Sequence, residues 1–212
     1  MITVLLDKAE FEYDIHSLVK AFYPKEEVYV STKDKEKKEE PVHYHMDVQF
    51  APEEIIFSWK RVEASEDNAN QTGITKCVAV DYTNRKETKN SLKRTLYRLL
   101  SEYTGVELPW GNLTGIRPTK IPMALLEEGK SEEEIARYMK ETYFTSDEKI
   151  KLSIEIAERE LELLHKLDYE EGYSLYIGIP FCPTTCLYCS FTSYSMSCLL
   201  YTSPSPRDRS LS

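Results

Sequence analysis

Three cysteines near the end of the 212-residue chain, Cys182, Cys186 and Cys189, stand at C-x3-C-x2-C spacing. They lie in the run Tyr176-Ile-Gly-Ile-Pro-Phe-Cys-Pro-Thr-Thr-Cys-Leu-Tyr-Cys-Ser-Phe191. Three thiolates can hold three irons of a [4Fe–4S] cluster, which leaves the fourth iron without a protein ligand and free to bind a small molecule. An open coordination position separates a reactive metal centre from a closed one. Pro183 restricts the backbone after the first ligand, and Thr184 and Thr185 leave room for a tight turn. Structural zinc is the competing chemistry, with Cys198 as a fourth ligand. Closed four-cysteine zinc sites usually pair two C-x2–4-C knuckles, and this run offers one clear knuckle.

An element must present such a loop. The stretch 173–179 (Tyr-Ser-Leu-Tyr-Ile-Gly-Ile) reads as a strand, with the cysteine loop leaving its C-terminal end, where α/β barrels place their chemistry. Ahead of it, 146 onward reads as a long helix with Ile150, Ile154, Ala157, Leu161, Leu164 and Leu167 as its stripe. Ser131 with Glu134 makes a capping box for a shorter helix, and 119–128 forms another, ended by Gly129, with Pro118 at its first position. Further upstream, 2–6 and 27–30 read as strands, 9–22 as a helix and 31–41 as a charged loop. Residues 42–50 alternate, with Val42, Tyr44, Met46, Val48 and Phe50 on one face, so they predict a half-buried strand of an antiparallel sheet. Two more strands fall at 54–61 and 73–81, and a helix at 90–103 ends before Gly105.

The expected organisation is a small α+β domain over 1–105, a helical connector over 106–170, a barrel strand with its cysteine loop over 171–194, and a disordered tail over 195–212. That tail is Ser/Pro-rich and without period. It resembles translated adapter sequence and is read as non-native, which would remove Cys198 from any metal argument.

The spacing with an aromatic before the last cysteine, Tyr188, resembles the signature of radical S-adenosylmethionine (SAM) enzymes. The longer string from Tyr176 to Phe191 resembles the oxygen-independent coproporphyrinogen III oxidase branch. The extra domain and the segment Leu113-Thr-Gly-Ile-Arg-Pro-Thr-Lys120 resemble its coproporphyrinogen dehydrogenase subgroup from Gram-positive bacteria. The resemblance covers roughly residues 1–194. It departs at Gly178, where the family usually has histidine.

The resemblance implies Cys182, Cys186 and Cys189 as cluster ligands, and Tyr176 and Tyr188 as contacts to SAM. It implies a 5′-deoxyadenosyl radical that abstracts hydrogen from propionate side chains, so that two of them become vinyl groups and coproporphyrinogen III becomes protoporphyrinogen IX. An electron donor such as flavodoxin or ferredoxin is implied with it. The cofactor carries the hard chemistry and the protein positions it. No catalytic residue is expected within this stretch. A barrel of this kind takes ~250 residues, and 23 follow Cys189, so the chain is expected to be a truncated fragment without a complete active site. Haem chaperones of the same branch share the cysteine signature. The extra α+β domain favours the dehydrogenase reading over that alternative.

Composition narrows the rest. A formal net charge of −9 argues against a nucleic-acid partner. An apolar fraction of 41% suffices for a core. No run of ~18 apolar residues suggests a membrane span, and the first residues lack the pattern of a secretion leader. Five cysteines, three of them bunched, suit a metal in a reducing cytoplasm better than a disulfide framework.

Three other positions have candidate roles. Cys77 reads as a small buried hydrophobe. His43 and His45 share one strand face, where a metal is conceivable but no third ligand is evident, and an exposed polar face is the common reading. Arg117 and Lys120 beside a helix start suggest an anion site. The plainer reading of Arg117 is a pair with a neighbouring carboxylate.

Overall fold

A computed structural model describes residues 1–32, 42–62, 73–167, 171–173, 175–178, 180–184, 186, 187 and 189–195. The chain divides into two units, Met1–Lys166 and Leu167–Ser212.

The first unit is α+β. Its strands are β1 (Ile2–Leu6), β2 (Val28–Thr32), β3 (Tyr44–Phe50), β4 (Glu54–Arg61) and β5 (Gly73–Ala79), in the sheet order β2-β1-β3-β4-β5. The sheet is mixed, and this corrects the antiparallel expectation. β1 pairs in parallel with both β2 and β3, while β3–β4 and β4–β5 are antiparallel. For β1 and β2 the physical reason is helix α1 (Glu12–Phe22), which carries the chain back between them. A crossover through a helix returns the next strand in the same direction. Side-chain alternation reveals which face a strand buries and is silent about its direction.

The face that alternation assigned is the buried one. Met46, Val48 and Phe50 of β3 lie beside Ile55, Phe57 and Trp59 of β4, all at most 4% exposed. Ile2, Val4 and Leu6 extend this layer across β1. Ile15, Leu18 and Val19 of α1 and Leu92, Leu96, Leu99 and Leu100 of α2 (Arg85–Thr104) belong to the same core. Each such side chain contributes about 1.5–3 kcal/mol by leaving water. α2 begins five residues before the apolar stripe implied, because Asn84 caps it by accepting from the Glu87 amide. It ends as expected at Gly105, whose φ is 68°.

Three helices complete this unit: α3 (Lys120–Glu127), α4 (Glu132–Tyr143) and α5 (Asp147–Leu164). Pro118 lies one residue ahead of the cap, Thr119, and so outside the first helical position expected for it. The Ser131–Glu134 capping box of α4 is formed in both directions. Ile135 and Met139 of α4 and Ile150 and Ile154 of α5 make a second apolar cluster, joined by Leu113, Ile121, Leu125 and Leu126.

The segment ahead of α3 laces this unit together. Ser146 N donates to Pro109 O at 3.0 Å, and Asn112 N to Tyr143 O at 2.9 Å. Gly111 has φ 56°, and a Cβ there would sit 1.9 Å from Tyr143 O, so only glycine fits.

In the second unit, β6 (Phe181–Cys182) and β7 (Tyr194–Ser195) pair in parallel. The stretch 173–179 does not form the expected strand at its described residues, a second correction. Tyr173, Leu175, Tyr176 and Ile177 are 77–94% exposed. A parallel barrel strand is held by hydrogen-bonded neighbours and covered faces, and the described residues supply none there. Of the tail read as disordered and non-native over 195–212, Ser195 instead pairs in β7, and residues 196–212 lie outside the described residues.

Candidate metal centre

The three cysteines lie in and just after β6. Cys182 is the second residue of that strand, where its Cα partner is Ser195. Tyr194 N donates to Pro180 O at 2.7 Å, and the rings of Phe181 and Tyr194 lie 6.0 Å apart. Cys186 and Cys189 share one turn, since Cys189 N donates to Cys186 O at 3.0 Å. All three thiols are free; Cys182 and Cys186 are exposed and Cys189 is half-buried.

The donor set suits a thiolate-ligated iron–sulfur cluster. Three free sulfurs sit on one short loop, open to a guest from solvent, and two of them already share a turn. Full convergence is not present: among the described residues, no group of three or more His, Cys, Asp or Glu side chains is gathered for a metal. Metal sites of this kind commonly form as the metal binds, because ligand assembly and metal binding are one coupled equilibrium.

Of the two tyrosines expected to contact SAM, Tyr176 is 86% exposed, and Tyr188 lies outside the described residues. Gly178, where the family usually has histidine, lies against Tyr176: a Cβ at 178 would stand 3.1 Å from that ring. A side chain there would need that exposed ring to give by a few tenths of an ångström.

The other candidates are occupied differently. Cys77 is exposed, which corrects its reading as a buried hydrophobe. It sits on β5, an edge strand whose alternate residues Gly73, Thr75, Cys77 and Ala79 are all exposed. His45 Nε2 is 3.1 Å from Asp47, and His43 Nδ1 is 3.1 Å from Glu26, so the two histidines serve different carboxylates. The amino group of Met1 also reaches Glu26, at 2.8 Å, and it and His43 hold that carboxyl below its ordinary range. Arg117 lies 3.6 Å from Glu160, the plainer of the two readings for that residue.

One residue escaped the sequence reading. Lys93 of α2 is 7% exposed and donates to Thr114 Oγ1 at 3.0 Å, and Thr114 in turn meets Ser17 Oγ at 3.0 Å. Burial lowers the Lys93 ammonium to about 8, against the attraction of Asp14 and with the help of Lys89. The signal was its place three residues before Leu96, on the helix's buried side.

No helix among the described residues is long and apolar enough to cross a membrane. No family model matches the chain. It is 41% identical over 126 residues to HemZ of Bacillus subtilis (strain 168), named an oxygen-independent coproporphyrinogen-III oxidase-like protein. The match covers 58% of the chain and 25% of that relative, so the chain spans about a quarter of the length of the curated relative it matches. The likeness supports the family that the cysteine run resembles.

Proposed function

We propose that this chain is part of a larger radical SAM protein of the coproporphyrinogen dehydrogenase type, in which Cys182, Cys186 and Cys189 ligate a [4Fe–4S] cluster. The observation that carries the reading is the cysteine spacing on free thiols of one loop, together with the likeness to a coproporphyrinogen-III oxidase-like protein. The cluster, when bound, supplies one electron for reductive cleavage of SAM, the chemistry that drives oxidative decarboxylation of coproporphyrinogen III.

The chain's own residues do simpler things. The three cysteines would hold iron through their sulfurs, and ligand assembly would be coupled to metal binding. Pro183 limits how the backbone can turn away from Cys182. Tyr176 and Tyr188 offer amphipathic faces to SAM, each an apolar ring with a polar tip.

The test is anaerobic reconstitution of the chain with iron and sulfide, followed by metal analysis. A brown protein with ~4 irons per chain is expected. A colourless protein retaining a single zinc contradicts the proposal and favours a structural site.

A further inference from the structure

We infer that Phe181 and Tyr194 form a latch that pre-organises the cysteine loop before any metal arrives. The inference builds on the reading of the three cysteines as cluster ligands. β6 and β7 pair over two residues each, Phe181 with Tyr194 and Cys182 with Ser195. Tyr194 N donates to Pro180 O at 2.7 Å, beside a ring contact of 6.0 Å between Phe181 and Tyr194. Those contacts close the chain between Cys182 and Tyr194 into a loop that contains Cys186 and Cys189.

The consequence is a division of the ligand set into two pieces. Cys182 belongs to the closing strand itself. Cys186 and Cys189 belong to one turn, held by the 3.0 Å bond from Cys189 N to Cys186 O. Gathering three sulfurs then means bringing one turn toward one strand, rather than ordering a free segment. Closing the loop in advance removes chain entropy that metal binding would otherwise have to offset. Two-residue strands are too short to persist on their hydrogen bonds alone. The aromatic pair is the apolar part of the closure: Phe181 is half-buried, and Tyr194 is 52% exposed.

The experiment uses the full chain reconstituted with iron and sulfide, challenged with an iron chelator while the cluster's visible absorbance is followed. Tyr194→Ala should lose its cluster several-fold to about tenfold faster than the unmodified chain, the scale of one aromatic pair. Tyr194→Phe should hold it as well as the unmodified chain, because the ring and the backbone bond are kept. Leu187→Ala, at an exposed position in the same loop, should change nothing. Equal loss rates for Tyr194→Ala and the unmodified chain overturn the latch and leave the ligand reading intact. Failure of the unmodified chain to take up iron counts against the ligand reading. The latch is then judged by amide hydrogen exchange: slowed exchange at Tyr194, abolished by Phe181→Ala, supports it, and unprotected exchange at Tyr194 overturns it.

Discussion

Met1–Lys166 and Leu167–Ser212 use apolar residues in opposite ways. In the first, Ile55, Phe57, Trp59 and Leu96 are at most 1% exposed. In the second, Tyr173, Leu175, Tyr176, Ile177 and Leu187 are 77–105% exposed. The first unit holds its shape by removing side chains from water. Among its described residues, the second has two short strands, a turn and a ring pair. The difference teaches where an added ligand has most to contribute: a packed core gains little order from a guest, while a loop bearing three free thiols can gain most of its order from one.

The widest separation between the units should appear in core truncation. Phe57→Ala is expected to lower unfolding free energy by about 3–5 kcal/mol, through lost burial and the cavity left behind. Leu175→Ala should stay within about 0.5 kcal/mol, as exposed substitutions do. Denaturant titration of both variants measures this, and similar losses would break the comparison.

Next in size is Gly111→Ala. The left-handed backbone alone costs a non-glycine residue about 1–3 kcal/mol, and the 1.9 Å approach to Tyr143 O adds to it. A clear fall in melting temperature is expected, with no change in the metal taken up by the cysteine loop. A melting temperature equal to that of the unmodified chain would mean that the lacing of 109–112 to the α4–α5 corner is dispensable.

Lys93 gives a smaller effect with a definite sign. Its folded-state value is depressed to about 8, while an unfolded lysine holds its proton to about 10.5. Between those values the unfolded chain binds more protons, so stability rises with pH. The rise between pH 8 and 10 should be on the order of 2 kcal/mol. Above pH 10, Tyr23 and Tyr143, whose phenols burial holds protonated, act the other way and stability falls. Lys93→Met should flatten the rise below pH 10. An unchanged slope would show that the buried ammonium is not its source.

What could be read from the sequence followed the physics of each signal. The caps at Ser131 and Gly105 and the stripes of α1 and α2 were legible, because helix ends and faces are written in local spacing. The inward set Met46, Val48 and Phe50 was legible for the same reason. The parallel pairing of β1 was not, since strand direction depends on the path between strands. Cys77 lies in an apolar run, yet burial depends on whether a layer covers that side of the sheet, which the run does not encode. Lys93, next to Leu92 of the apolar stripe, carried no signal of its partner, because Thr114 is 21 residues away. The stretch 173–179 has strand composition, but composition cannot provide the neighbours that make a strand. At the candidate site, residue types and spacing were legible, whereas the latch between Phe181 and Tyr194 required the structure.

The most direct measurement is iron stoichiometry after anaerobic reconstitution across single cysteine-to-serine variants. Cys182→Ser, Cys186→Ser and Cys189→Ser should each fall well below the ~4 irons of a complete cluster, while Cys77→Ser and Cys198→Ser keep the full complement. Retention of iron by all three loop variants, or its loss with Cys198→Ser, would contradict a cluster held by these three sulfurs.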